Sequence, residues 1–388
     1  MNFLTLLVAV IAAPVVLVTA CFGVELLAGL APLRQRSASP QHVRAVIAIP
    51  AHDEEAVIAR TVTGLKREVD SPVLVVADNC SDQTARAARS AGAEVIVRED
   101  PDRRGKGFAL AAAREHLRHD PPDVVIIVDA DCRIDGPSLA ALAHRASASG
   151  RACQAINLLS PDLGAPPMVQ ISTFAFLIKN LVRQRALQRL AGRAHLTGTG
   201  MALPWRIFAG ANLGGSNIVE DLALGLELAG GRAPPMLVED ATIWSPPASE
   251  AGTLVQRKRW EGGFLATALK AAPRALVRSV GRADVRGVFA ALDLCIPPLA
   301  LLFALNAIVL LFGLAMALFG AALWPVAVQI AVGLLAFAAL VLAWAREGRG
   351  FASGATLLRL PLYVLWKLPL YAGLLRRGAP TEWLRTGR

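Results

Sequence analysis

Val124-Val125-Ile126-Ile127-Val128-Asp129-Ala130-Asp131 runs five apolar residues straight into two aspartates one residue apart. The apolar run has the composition of a fully buried parallel strand. Asp129 and Asp131 then stand at its carboxyl end, where open α/β sheets place their ligands. Two carboxylates this close repel each other unless a cation lies between them. A hard divalent ion, Mg²⁺ or Mn²⁺, takes oxygen ligands and shares its remaining positions with phosphates. Taken alone, Asp-Ala-Asp also reads as a solvated turn closing a strand, so the flanking sequence has to decide.

Upstream, the same pattern repeats. Ala45–Ile49 reads as a strand, Pro50–Glu55 as a polar loop and Ala56–Val69 as a helix. Val73–Ala77 is a second strand ending at Asp78, followed by a helix over Gln83–Ala91 and a short strand at Glu94–Val97. Gly105-Lys106-Gly107 opens a further helix before the central strand. This alternation implies an α/β fold with a mostly parallel, Rossmann-type sheet and helices on both faces. The polar loops gather at one edge, which collects Asp53, Glu54, Asp78, Asp82, Lys106, Asp129 and Asp131. Carboxylates there can accept hydrogen bonds from a base or ribose, and a lysine or helix N-terminus can meet phosphate. The dinucleotide and P-loop glycine fingerprints are missing after the first strand, which argues against a dehydrogenase and a P-loop ATPase.

The 388 residues are 54% hydrophobic, and the apolar excess lies at the two ends. Residues 1–33 and the segment from about Val288 to Ala345 read as a transmembrane helix and a transmembrane hairpin. Arginines at 34, 36 and 44, and again at 346 and 349, put the intervening domain in the cytoplasm, at an inner (plasma) membrane. Ser37–Gln41 reads as a linker. Segment 355–388 carries Arg359, Lys367, Pro361 and Pro369 and ends in arginines. It is expected to lie in the membrane interface, with a fourth span as the alternative. The net charge of +10 fits an anionic membrane surface and a phosphate-rich substrate. Nucleic acid is not expected as a partner, because no recognition motif for it is present. The five cysteines show no metal or disulfide spacing and fit a reduced compartment.

Further along, Met168–Leu190 carries Lys179, Arg183, Arg185 and Arg189 beside phenylalanines. It reads as a basic amphipathic helix, on the membrane surface or on the domain. Thr197-Gly198-Thr199-Gly200 is a turn where backbone can approach a ligand closely. Glu220 and Asp221 open a helix, which dipole complementarity alone would explain. Gln256-Arg257-Lys258-Arg259-Trp260 follows. Arg259 can clasp a phosphate with two donors, and Trp260 offers a flat face to a sugar or anchors the chain at the membrane surface. Residues 261–287 continue as a basic helix along the interface.

Taken in order over residues 44–260, these features resemble the membrane-embedded family 2 glycosyltransferases, similar in plan to cellulose, hyaluronan and exopolysaccharide synthases. The matching residues are Ile49-Pro50-Ala51-His52-Asp53-Glu54-Glu55, Asp78, Arg104–Gly107, Asp129-Ala130-Asp131, Glu220-Asp221 and Gln256–Trp260. Asp53 departs from the family, where asparagine is commoner. The resemblance implies a GT-A fold and a nucleotide-sugar donor, a UDP-sugar before a GDP-sugar. Donor contacts carry over to Pro50, His52, Glu54, Asp78 (the base), Lys106, Asp129, Gln256, Arg259 and Trp260. Asp131 and Asp129 would hold Mg²⁺ or Mn²⁺, Asp131 most directly. Asp221 would be the general base, and Glu220, Thr199, Gly200 and Trp260 would meet the acceptor. Displacement at the anomeric carbon needs a base on the acceptor side and charge neutralisation on the leaving diphosphate, and these residues supply both.

Three readings of function follow. The first is inverting transfer of one sugar to a membrane lipid or lipid-linked acceptor in cell-envelope or exopolysaccharide synthesis. The second is a processive polysaccharide synthase, for which three spans make a scant channel. The third is a catalytically silent scaffold or export component, which the full set of carboxylates argues against.

Overall fold

In the computed structural model, residues 2–35, 42–214, 220–231, 233–246 and 250–378 are described, apart from the side chains of 220, 250–252, 255 and 377. The linker at 37–41 and the last arginines of the tail therefore lie outside the described residues. One eight-stranded sheet forms the centre. Its strands are β1 (Ala45–Ala51), β2 (Val73–Asp78), β3 (Glu94–Arg98), β4 (Val124–Ile127), β5 (Arg133–Ile134), β6 (Cys153–Leu159), β7 (Met201–Pro204) and β8 (Met236–Ser245). Their order is β3-β2-β1-β4-β7-β6-β8-β5.

The first half follows the alternation of the sequence. β1 pairs in parallel with β2 and β4, and β2 with β3. Successive residues of these strands enter opposite cores, as the two-residue period of a strand requires. Ile47, Ile49, Val75 and Ile126 face one core, while Ala48, Leu74, Val76, Val125 and Ile127 face the other. Helices cover both, such as Ile58–Glu68, whose Ile58, Thr61, Val62 and Leu65 are buried at helical spacing.

The second half corrects the expectation of a mostly parallel sheet. β7 runs antiparallel to both β4 and β6, and β5 antiparallel to β8, so the sheet is mixed. β7 enters from the turn at 197–200, after the helical segment 167–191 has carried the chain away from β6 and back. Strands of four and two residues carry too little pattern to be read in advance.

The segment expected as one surface helix at 168–190 is also different. It forms Pro167–Leu177 and Arg183–Ala191, joined by a π-turn at Ile178–Val182, and it is largely interior. Arg183 and Arg185 are buried because each finds carboxylates, whereas Arg189 stays exposed and bonds backbone carbonyls at the end of the first helix. Arg183 donates to Glu25 at 2.7 Å and to Asp293 at 2.8 Å. Arg185 donates to Glu239 at 2.5 Å and Glu347 at 2.8 Å.

Among the described residues, three helices are long and apolar enough to cross a membrane: Phe3–Gly29, Leu299–Leu318 and Trp324–Gly348. The apolar stretch from Val288 is divided, since Val285–Cys295 is a separate helix and Pro297-Pro298 precede the span. Polar side chains bind the three together. Asn306 donates to Thr19 at 2.9 Å, and Gln329 donates to the Asn306 carbonyl at 2.9 Å, contacts of the kind that fix helices in an apolar medium. Phe22 and Leu26 of the first helix share a core with Ile156 and Leu158 of β6 and with Ala336 and Leu340. Gly29 brings that helix against the π-turn so closely that a Cβ there would stand 1.9 Å from the Val182 carbonyl oxygen. The C-terminal helix Leu360–Arg377 is fixed by Lys367, which is wholly buried and donates to Glu261 at 2.5 Å.

Removing one member of a buried ion pair strands the others and costs about 3–5 kcal/mol. Arg183→Met should therefore lower stability by about that much, read as the midpoint of thermal unfolding in detergent. Lys270→Ala, on an exposed helix face, should stay within about 0.5 kcal/mol of the parent.

Candidate active site

The carboxyl ends of β1, β2 and β4 open into one cavity of about 750 Å³, within the range of small-molecule sites. Pro50, His52, Glu54, Asp78, Lys106, Asp129, Asp131, Thr199, Asp221, Arg259 and Trp260 all line it. The loop after β1 is braced against the loop after β2. His52 Nδ1 lies 2.8 Å from the Asp78 carbonyl, and the Asp53 carboxylate accepts from Ser81 N–H at 2.6 Å. His52, Asp53 and Cys80 bring three donor atoms within 4.8 Å of one another. The bonds of this cluster brace the two loops against each other, and burial holds the Cys80 thiol pKa above its ordinary value.

Asp78 is buried and receives Arg98 at 2.5 Å, with Gly105 N–H at 3.4 Å. Lys106 opens the next helix, and its ammonium bonds both Asp129 and the Gly198 carbonyl, the latter at 2.7 Å. Thr199 accepts from the Asp129 backbone N–H at 3.0 Å. It thereby fixes the loop that presents Asp129 and Asp131. Two carboxylates on one short loop make a hard, all-oxygen donor set suited to Mg²⁺ or Mn²⁺.

Asp221 sits at the start of Glu220–Ala229, across from Lys106. A Cβ on Gly198 would stand 3.0 Å from Asp221 Oδ2 and 3.6 Å from Lys106 Nζ. With φ at +88°, Gly198 supplies both the left-handed turn and the space between these two side chains. Burial pushes the Asp221 carboxyl above the usual aspartate range, against the opposing pull of its N–H contact from Leu222 and of Lys106 and Lys179.

Three expected contacts are placed elsewhere or lie outside the description. Gly200 packs under the sheet, where a Cβ would meet Ile243 at 2.7 Å. Gln256 is buried and absent from the cavity lining. Its helix, Glu250–Gly281, turns Arg257, Trp260, Glu261 and Phe264 toward the cavity at helical spacing. The Glu220 side chain lies outside the described residues. Arg257 donates to Ser172 Oγ at 2.9 Å and rests over the adjoining rings of Phe176 and Trp260, 5.0 and 5.2 Å from their centres. Three further residues of the site had no motif to announce them. They are Arg98, Lys179, and Asn157, whose Oδ1 is buried at the cavity without a hydrogen-bond partner among the described residues.

The fold is shared with a mannosyltransferase from Pyrobaculum calidifontis solved with GDP-mannose and Mn²⁺. The two are 18% identical, with a TM-score of 0.56 over 93% of this chain and 99% of that one. Looser similarity extends to glucosyl-3-phosphoglycerate synthase from Mycobacterium tuberculosis, at 16% identity, TM-score 0.37, 58% of this chain and 79% of that one. It extends also to mannosyl-3-phosphoglycerate synthase from Rubrobacter xylanophilus, at 19% identity, TM-score 0.34, 57% of this chain and 76% of that one. No curated protein matches the chain significantly. The family described as glycosyltransferase like family 2 matches residues 40–263. That match takes in the sheet, the Asp129–Asp131 loop, Asp221 and Trp260, and the chain belongs to this family of glycosyltransferase enzymes.

Proposed function

We propose that this glycosyltransferase moves one sugar from a nucleoside-diphosphate donor to a membrane lipid or lipid-linked acceptor, with inversion at the anomeric carbon, on the cytoplasmic side. One observation carries the reading. The same cavity holds Lys106, Asp129, Asp131 and Asp221 at the sheet edge and reaches Phe22 of the first apolar helix and Ile296–Leu299 at the start of the second. A donor can thus lie against the sheet while an acceptor enters from the level of the membrane helices.

In this reading the nucleotide lies over the ends of β1 and β2, against His52, Glu54 and Asp78. Lys106 and Arg259 face the diphosphate as fixed positive charges. Asp129 and Asp131 would hold Mg²⁺ or Mn²⁺, which when bound neutralises charge on the leaving diphosphate. The GDP-mannose and Mn²⁺ held by the Pyrobaculum enzyme are consistent with a donor and metal of this class. Asp221 takes the proton of the acceptor hydroxyl as its oxygen bonds to the anomeric carbon. The bond from that carbon to the diphosphate breaks with its electron pair on the departing oxygen. Trp260, tilted against Phe176 at 5.4 Å, offers its face to a sugar ring. Three apolar helices give a polymer little to pass through, which favours a single transfer.

Product analysis in lipid tests this directly. With labelled nucleotide sugars, Mn²⁺ and a bacterial lipid extract, label should appear in one organic-soluble species. Long water-soluble product would instead make the protein a polymerase. Asp221→Asn should lower kcat by at least about 10²-fold while Mn²⁺-dependent nucleotide binding persists, and wild-type turnover in that variant would remove Asp221 from the role.

The pH dependence follows from the raised Asp221 pKa. The base works only when deprotonated, so kcat/KM should fall as pH drops through a limb lying above the ordinary aspartate value of about 3.9. A limb at or below that value would contradict the assignment. Asp131→Asn should abolish the dependence of nucleotide binding on Mn²⁺, measured by titration with and without chelator.

A further inference from the structure

Lys179 has no part in the chemistry above, yet it stands in the same cavity. It lies on the π-turn Ile178–Val182, a helix irregularity often found at functional sites. Ile178, Leu181 and Val182 of that turn are buried in the core shared with the apolar helices, whereas Lys179 is exposed to the cavity. Its ammonium lies 4.8 Å from the centre of the Phe264 ring. Among the described residues, no carboxylate is within ion-pair distance of it. Arg257, also at the cavity, is held in a similar way, by Ser172 and the faces of Phe176 and Trp260. Two cations are thus kept in place by rings and a hydroxyl, with their charge uncancelled by a contacting acid.

The position of Lys179 in the cavity follows from the turn that carries it. Ile178 and Val182 of that turn pack in one core with Phe22 and Ile296, so Lys179 enters the cavity beside the part that ends at Phe22 and Ile296–Leu299. Lys106, by contrast, is bonded to Asp129 at the sheet edge. Asp221 feels both lysines.

We propose that the acceptor carries a phosphate-class anion next to the hydroxyl it contributes, and that Lys179, with Arg257 beside it, receives that anion while the acceptor's apolar portion extends toward Phe22 and Leu299. This rests on the lipid-acceptor reading and narrows it to phosphate-bearing headgroups. The anion is held unchanged through the reaction. The hydroxyl oxygen forms the new bond to the anomeric carbon, its proton goes to Asp221, and the diphosphate leaves with the electron pair. Cation–π contact suits the resting state, because it holds an ammonium and places no negative charge in the anion's way.

Lys179 can be followed by its own chemistry. Accessible from the cavity but deep enough in it to be poorly solvated, and beside Arg183, the Lys179 amine has its pKa lowered, which makes it ready to acylate. The full chain in uncharged detergent would be pulsed with a small anhydride and labelling at Lys179 measured by peptide mass spectrometry, with exposed Lys270 as internal reference. Three probes separate the possibilities: short-chain phosphatidylglycerol (phosphate, hydroxyl and tail), glycerol 3-phosphate (no tail) and dioctanoylglycerol (no phosphate). Phosphatidylglycerol should slow labelling of Lys179 at least fivefold at a concentration where dioctanoylglycerol has no effect. Glycerol 3-phosphate should need at least tenfold more to match it.

Equal protection by dioctanoylglycerol, or no protection by either phosphate compound, would overturn the proposal. Equal potency of glycerol 3-phosphate would support the anion site and overturn its lipid source. Transfer of labelled sugar into lipid is scored in a separate assay. A failure there removes the lipid-acceptor reading, whereas a failure of protection removes the anion site alone.

Discussion

The guanidinium of Arg183 is the joint on which the molecule turns. It is buried between Glu25 of the first apolar helix and Asp293 of the helix before the second. The other oxygen of Asp293 lies 2.6 Å from His195 Nε2. Burial pushes the Asp293 carboxyl up, but Arg183 and His195 more than offset this and hold it below the usual carboxylate range. His195 is two residues before the turn that contains Gly198 and Thr199. One chain of charge and hydrogen bonds therefore runs from the apolar helices to the turn that positions Asp129 and Lys106. None of these groups is stable alone in an apolar interior, so the domain and its apolar helices have to be assembled in one relative position.

That constraint also explains the irregular helix at 167–191. An unbroken α-helix keeps a fixed face toward each neighbour. Here Arg183 and Arg185 must reach acids on different elements, while Gly29 lets the first helix cross against the Val182 carbonyl. The π-turn takes up the mismatch and, in doing so, turns Lys179 into the cavity. Geometry required for attachment to the apolar helices and geometry available to an acceptor are the same feature of the backbone.

Much of the donor side could be read from the sequence because it is local. Asp78 ends a strand, Asp129 and Asp131 stand on the loop that follows one, and Lys106 opens a helix, so a correct strand assignment places all four at one sheet edge. The rest depends on partners that no window of sequence joins. Lys106 meets the Gly198 carbonyl across 92 residues, and Arg183 meets Glu25 across 158. Arg183 and Arg185, which look like part of a basic surface stripe, are interior because their acids lie on other elements. β7 was unreadable for a related reason. Met201–Pro204 forms a strand through the neighbours it lies between, β4 and β6, and not through a pattern of its own. The short motif Gln256–Trp260 shows both cases, since Trp260 and Arg259 reach the cavity while Gln256 packs away from it.

The two sides of the cavity hold their cations by different means, and the difference has a physical logic. On the sheet side, Lys106 is bonded to Asp129 and Arg98 to Asp78. A ligand that brings its own countercharge, such as a diphosphate with its metal, can enter such a site by exchanging partners within it. On the other side, Lys179 and Arg257 rest on aromatic faces. An anion arriving there displaces no carboxylate and meets no like charge in contact, so the attraction it finds is not offset by a broken ion pair. Glu261, the acid nearest in sequence to this group, is already engaged by Lys367 and by the Tyr371 hydroxyl at 2.9 Å. The C-terminal helix therefore restrains the one neighbouring carboxylate of the Trp260 helix that could otherwise turn toward the cations. Its anchorage to the domain helps to keep the surroundings of Lys179 and Arg257 positive.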